Sequence, residues 1–113
     1  MIRGDVFRAI LEMPQGSEQA GTRPVVIVSR DAINRSSPVV IIVPLTSRSN
    51  KARLYPSHVE IKAGEAGLPL DSVALCEQVR AIAVSRLSTN LGHLPNQRIG
   101  QINAALKIAL DLP

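Results

Sequence analysis

The chain has 113 residues, of which 45% are hydrophobic and 19% are charged, with a net charge of +4 at pH 7. This length suits one domain with a modest core, which we assign to residues 1–113, and the apolar content excludes an intrinsically disordered chain. A single cysteine and two distant histidines exclude an internal disulfide and a cysteine-rich zinc site, so we expect no metal and no cofactor.

Neither a membrane span nor a secretion signal is evident. The longest apolar run, residues 39–45, is much shorter than the roughly 20 residues that a membrane-spanning helix needs. The N-terminus has an acid at Asp5 and lacks the apolar segment of a signal peptide. We therefore expect a cytoplasmic protein without membrane contact.

Short apolar runs predict β-strands through the first half of the chain. The first strand is expected at residues 3–11, and β-branched residues fill the runs 25–28 and 39–43. The last two runs are apolar on both faces, which predicts cover on both sides by a sheet, a helix or a second subunit. Polar residues at 13–22 predict an exposed loop, and residues 34–38 predict a turn.

The second half adds strands and one clear helix. Residues 47–56 are polar and basic and predict a loop, 58–61 alternate as a short strand does, and 72–82 predict one further strand. Apolar residues at helical spacing between 99 and 110, with Pro95 near the start, predict a C-terminal helix. Strands followed by a helix favour a mainly β fold with α: a strongly bent sheet or partly open barrel.

Two polar clusters lie at the ends of the apolar strands. Arg23 directly precedes a β-branched strand, and Pro24 stiffens that boundary. Thr46 and Ser47 present adjacent hydroxyls at the end of the next strand. If these ends adjoin, an arginine clamp and a hydroxyl donor would form a phosphoryl site without a metal.

Each candidate residue also has a simpler interpretation. Arg23 can be a surface charge, Thr46 a hydroxyl bonded to backbone, Glu18 a solvated acid, and Glu77 with Gln78 the exposed face of a strand. With one Phe, one Tyr and no Trp, the chain lacks the aromatic platforms on which many proteins stack single-stranded bases. The residues alone indicate a small β-rich domain with an anionic-ligand site, and ten Arg among thirteen basic residues favour a phosphate-bearing partner.

Seven short motifs lie in a fixed order along the chain. The longest and most specific is GSEQAGTRPVVIV at residues 16–28. The others are RGDVF at 3–7, NR at 34–35, VPLTS at 43–47, HVEI at 58–61, DSV at 71–73 and CEQVR at 76–80. In their order and spacing, these motifs resemble the MazF/PemK (Kid) family of toxin endoribonucleases from toxin–antitoxin pairs.

The resemblance implies an SH3-like, CcdB/MazF-type partly open barrel with short helices and a C-terminal helix, acting as a homodimer. It also implies metal-independent, sequence-specific cleavage of single-stranded RNA, chiefly mRNA, that leaves a 2′,3′-cyclic phosphate and a free 5′-hydroxyl. A cognate antitoxin with an acidic, disordered tail would block the RNA groove, in agreement with the positive charge of this chain.

The same resemblance assigns roles to particular residues. Arg23 and Thr46 match the catalytic positions. Glu18 and Glu77 would line the RNA site, and their carboxylate chemistry makes them candidate acids or bases. The remaining expected RNA contacts are Ser17, Gln19, Ser47 and Gln78. The Kid branch has Arg and Asp where this chain has Leu75 and Glu77, and His where it has Ser17, so its acid/base assignment does not transfer whole.

Two alternatives from other functional classes stay open. A CcdB-like gyrase poison shares the fold, but that activity is associated with a Trp near the C-terminus, and this chain has no Trp. An inactive module that only binds RNA or an antitoxin is the other alternative. Cleavage of a long RNA distinguishes the endoribonuclease from both.

Overall fold

A computed structural model describes residues 1–11 and 21–113 of the chain. Within these residues, helix α1 (Asp31–Ser36) follows the second strand, and helix α2 (Asn96–Leu110) ends the fold. The strands are β1 (Asp5–Leu11), β2 (Gly21–Ile27), β3 (Val39–Ser47), β4 (His58–Ile61), β5 (Ser72–Leu75), β6 (Arg80–Ala83) and β7 (Leu87–His93). The α2 bounds confirm the predicted C-terminal helix.

Strand β3 is the centre of an antiparallel sheet. The strand order is β4-β5-β3-β2-β1-β7, and β6 also pairs with β3. The first half of β3, Val39–Ile42, pairs with β6, and its last part, Leu45–Ser47, pairs with β5. The sheet does not close on itself, so the predicted fold, mainly β and partly open with a C-terminal helix, is confirmed.

Two apolar clusters hold the sheet together. In the first, Ile102 and Ala105 of α2 belong to the same buried cluster as Val26 of β2. Val25 and Ile27, the neighbours of Val26, belong to the second cluster, which β1, β3 and β6 complete. Successive side chains of a strand point to opposite faces, so β2 is buried on both sides.

The predicted cover on both faces of β3 is only partly confirmed. Residues 42–46 are buried, whereas Val39 and Ile41 remain 42% and 38% exposed. Ala83 and Ala81 lie opposite them on β6. The outer face of the β3–β6 ladder is therefore an apolar surface that a single chain leaves open.

Three predicted boundaries are wrong. Residues 72–82 are not one strand, because a 3-10 turn at Cys76–Gln78 separates β5 from β6 where β3 exchanges one partner for the other. The turn predicted at 34–38 is mostly helix α1. Residues 13–20 of the predicted loop lie outside the described residues, but Gly21 and Thr22 already belong to β2.

Gly67 lets the 3-10 turn at Glu65–Gly67 approach β7. Its φ is +71°, and a Cβ there would overlap the carbonyl oxygen of Leu91. A left-handed backbone alone costs an L-residue about 1–2 kcal/mol, and the overlap adds to that cost. We expect Gly67→Ala to lower the free energy of unfolding by about 2 kcal/mol or more, measured by urea denaturation.

Gly100 provides the matched control. It is an exposed residue of α2, and apart from its chain neighbours and the nearby backbone of its own helix, no described heavy atom lies within 4 Å of a Cβ built there. Gly100→Ala should raise the free energy of unfolding by about 0.5–1 kcal/mol, because Ala favours a helix over Gly. Unchanged stability of Gly67→Ala would contradict the contact between the turn and β7.

Candidate active site

The ends of β2 and β3 bring Arg23 and Thr46 together. Val25 pairs with Pro44, and continuing this antiparallel register places Arg23 opposite Thr46. Both side chains line one surface cavity of about 190 Å³. The two strand ends therefore adjoin in space, while the catalytic roles of the two residues stay predictions.

The cavity is basic and small. Its other described lining residues are Arg8, Pro24, Leu45, Ser47, Leu68, Pro69, Leu70 and Ser72. The described lining thus has two arginines and no acid, which favours an anionic group. Since its volume is below the roughly 300–1,000 Å³ of small-molecule sites, it suits one charged group of a larger ligand.

A second cavity continues from the first. It has a volume of about 590 Å³ and shares Ser47, Pro69 and Leu70 with the smaller cavity. Arg48 and Asp71 lie further along its wall. The two cavities adjoin at these three shared residues beside the end of β3, and we call them together the groove.

The hydroxyl of Thr46 is held in place within the groove. Its residue is only 3% exposed, and its Oγ1 accepts a hydrogen bond of 3.0 Å from Nδ2 of Asn50. A hydroxyl that accepts one hydrogen bond keeps its own O–H as a donor. Next to it, Oγ of Ser47 lies 2.9 Å from Oγ of Ser49.

Glu77 and Gln78 lie on the 3-10 turn after β5, and neither is among the described lining residues of the cavity. Oε1 of Glu77 accepts from Oγ of Ser57 at 3.0 Å, and Oε2 lies 3.1 Å from Nε2 of His58. Nδ1 of His58 accepts from the Tyr55 amide at 3.1 Å, so the proton of a neutral ring is on Nε2 and is donated to Glu77. Because Glu77 lies on a turn, its predicted placement in a strand is wrong. Its side chain is exposed, as that prediction also stated.

Three of the expected site residues, Ser17, Glu18 and Gln19, lie outside the described residues. Their roles stay predictions. Among the residues that the structure does describe, no group of three His, Cys, Asp or Glu side chains is placed to hold a metal ion. Within the same ranges, no helix is long and apolar enough to cross a membrane.

Cys76 does not provide a reactive group. It is fully buried, and burial, followed by the nearby charge of Glu77, raises the pKa of its thiol to about 12. The thiol is therefore protonated at neutral pH and is a poor nucleophile. Its role is that of a small buried hydrophobe.

The wall of the cavity at residues 68–70 is tied to helix α2 through Glu65. Oε1 of Glu65 accepts from the Lys62 amide at 2.8 Å and from Nε of Arg98 at 3.0 Å. The hydrogen bond from the Lys62 amide, and to a smaller extent the one from Arg98, holds the pKa of Glu65 below its usual value. The turn that precedes the wall is thereby fixed from both sides.

The sequence analysis missed Arg8, Asn50 and the wall at 68–70. One signal was available for Arg8, because it is the one charged residue in the apolar stretch 6–11. Residues 68–70 and Asn50 reach the site through turns whose position depends on contacts far along the chain. No local pattern would have identified them.

Comparison with known proteins supports one family. Residues 2–110 match the family model of the PemK-like, MazF-like toxin of type II toxin-antitoxin systems. The endoribonuclease MazF of Staphylococcus saprophyticus is 46% identical over 112 residues, which cover 99% of this chain and 92% of that protein.

Solved structures agree with this match. An endoribonuclease from a mycobacterial species, solved in complex with its cognate antitoxin, is 29% identical with a TM-score of 0.79, covering 100% of this chain and 97% of that one. MazF from Deinococcus radiodurans, at 24% identity, shares the fold with a TM-score of 0.82 over 98% of this chain and 96% of that one. The chain therefore belongs to the PemK-like, MazF-like family of toxins from type II toxin–antitoxin systems.

Proposed function

We propose that this MazF-type toxin endoribonuclease cuts single-stranded RNA, chiefly mRNA, through attack of a ribose 2′-hydroxyl on the adjacent phosphorus, without a metal ion. The observation that supports this is the basic cavity that Arg23 and Thr46 share at the ends of β2 and β3. The groove that continues from it suits a polymer better than a free nucleotide. The whole chain, 1–113, acts as one toxin domain in the cytoplasm.

The reaction needs charge neutralisation at the phosphoryl oxygens, a base for the 2′-hydroxyl proton and an acid for the leaving 5′-oxygen. Arginine is protonated at neutral pH and presents several donors, so Arg23 binds the phosphate and stabilises the transition state. As a donor it is also the candidate to protonate the leaving oxygen. Thr46 donates its hydroxyl to a non-bridging oxygen.

The remaining expected residues contact the RNA. Ser47 lies in both cavities, where its hydroxyl can reach a strand that enters from the larger one. We assign Ser17, Gln19 and Gln78 to RNA binding on the family motif. These contacts would select the sequence that is cut, whereas Arg23 and Thr46 act at every cleaved phosphate.

Glu18 is the better of the two candidates for the base. Both carboxylate oxygens of Glu77 already interact with Ser57 and His58, and Glu77 does not line the described part of the cavity. Glu18 is five residues before Arg23 in the chain. We expect Glu18→Gln to lower the cleavage rate by about 10²–10⁴-fold and to remove the acidic limb of the pH–rate profile.

Glu77→Gln serves as the comparison for this prediction. The amide can still accept hydrogen bonds from Ser57 and His58, so the turn should stay folded and the acidic limb should persist. Loss of the acidic limb in Glu77→Gln, with its retention in Glu18→Gln, would reverse the assignment of the base.

Cleavage of a long synthetic RNA in the presence of EDTA tests the proposed function. The expected products are fragments from cuts at a short recurring sequence, with a 2′,3′-cyclic phosphate at one end and a 5′-hydroxyl at the other. A gyrase poison or an inactive binding module would leave the RNA intact. Cleavage that stops with EDTA and returns with a divalent metal would contradict the metal-independent mechanism.

The proposed partners are a second copy of the chain and a cognate antitoxin. The exposed apolar face of the β3–β6 ladder, with Val39 and Ile41, is surface that a homodimer could bury. The mycobacterial relative was solved with its antitoxin, and the net charge of +4 suits an acidic, disordered antitoxin tail in the groove.

A further inference from the structure

The 3-10 turn after β3 holds Asn50 at a fixed place beside the cavity. The backbone amide of Arg48 donates to the carbonyl of Asp71 at 2.8 Å, and Nε of Arg48 lies 3.2 Å from Oε2 of Glu60. The amide of Lys51 closes the turn on the carbonyl of Arg48 at 3.1 Å. The turn is thus tied to β4 and to the residue before β5, so its last residue has little freedom to move.

From this position, Nδ2 of Asn50 donates to Oγ1 of Thr46 at 3.0 Å. An amide nitrogen only donates, so the threonine oxygen is the acceptor and its own proton is directed elsewhere. Thr46 is only 3% exposed, and it lines the cavity that Arg23 also lines. The direction of this hydrogen bond therefore determines what the Thr46 hydroxyl can offer to a ligand.

We propose that Asn50 is a positioning residue, which keeps the Thr46 hydroxyl as a donor toward a non-bridging oxygen of the scissile phosphate. This inference rests on the role proposed above for Thr46. A side chain that accepted from Thr46 would consume the same proton, and the phosphate would lose one donor. Asn50 itself need not touch the substrate.

Asn50→Asp tests the inference because a carboxylate can only accept, which reverses the hydrogen bond. We expect the single-turnover cleavage rate at saturating enzyme to fall about 10- to 100-fold, with little change in the enzyme concentration that gives half the maximal rate. Asn96→Asp, at the exposed start of α2 and outside both cavities, adds the same charge and should leave the rate unchanged.

A double-mutant cycle with Thr46→Val separates positioning from plain charge repulsion. If Asn50 acts through the hydroxyl, Asn50→Asp costs little further rate once that hydroxyl is gone. If the new charge simply repels the phosphate, the loss is the same in both backgrounds, and the inference is overturned. Circular dichroism of each variant establishes that the fold is kept.

Substitution of sulfur for each non-bridging oxygen of the scissile phosphate gives a second readout. One diastereomer should be cut more slowly by the wild type, and this preference should shrink in both Thr46→Val and Asn50→Asp. If the preference is lost in Thr46→Val but retained in Asn50→Asp, the role proposed for Asn50 is refuted, and the role proposed for Thr46 is not. Wild-type rates in Thr46→Val would instead refute the role proposed for Thr46.

Discussion

Replacing Arg23 by Ala is expected to reduce RNA cleavage by about 10²–10³-fold or more, because the scissile phosphate would lose the cationic donor that we propose for it. Arg23 is half-buried near the start of β2 and lines the same cavity as Thr46. Negative charge develops on the phosphoryl oxygens in the transition state, and a guanidinium already placed at the site stabilises that charge. Single-turnover cleavage of an end-labelled RNA measures the effect.

Two variants control for this prediction. Arg30→Ala removes the same charge from an exposed residue outside the described cavities, and it should retain cleavage within about twofold. Arg23→Lys keeps the charge but loses the planar pair of donors, so an intermediate rate is expected. A folded Arg23→Ala protein that cuts RNA at nearly the wild-type rate would exclude Arg23 from the site.

The proximity of Arg23 and Thr46 could be predicted because it depends on two neighbouring strands. Each residue borders a β-branched run, and an antiparallel pair joins the end of one such strand to the start of the other. Helix α2 could be predicted for a similar reason, since its apolar spacing is local and Ile102 and Ala105 are buried. Local patterns were enough to predict the helix and the two strands, whereas the meeting of the strand ends depended on the two strands being neighbours in the sheet.

The position of Glu77 could not be predicted in the same way. Alternating residues from 72 to 82 suit a strand, but the chain forms a turn where β3 exchanges β5 for β6. The contacts of Glu77 with Ser57 and His58 join residues about twenty positions apart. Strand β7 was missed because its side chains are mostly polar or exposed, as an edge strand allows.

The cationic, hydrogen-bond-donating part of the candidate site is thus better defined than the part that would supply the general base. Arg8, Arg23 and Thr46 lie together on the described wall of the cavity, which provides donors and positive charge. A base has to come from elsewhere, and Glu18 is the nearest acid to Arg23 in the chain. The reason for this difference is that the donors lie on paired strands, whereas the proposed base, Glu18, lies between β1 and β2 in the sequence.

A substrate with one 2′-deoxyribose on the 5′ side of the scissile phosphate is expected to resist cleavage completely. In the proposed reaction, the 2′-oxygen forms a bond to phosphorus, the bond from phosphorus to the 5′-oxygen breaks, and one proton moves from the 2′-hydroxyl to the base while the leaving oxygen gains another. Removing the 2′-oxygen removes the nucleophile itself. The loss should therefore exceed that of Arg23→Ala, which removes only a stabilising group.

The control is the same RNA with its deoxyribose one nucleotide further along, which should be cut at a rate close to that of the all-ribose strand. Competition between the two strands measures binding, and similar inhibition by both would show that the uncut strand still occupies the groove. Cutting of the first strand at the unchanged phosphate would mean that water or a protein group is the nucleophile. The cavity would then need a residue to hold that nucleophile, and Thr46, buried beside Arg23, would be the first to test.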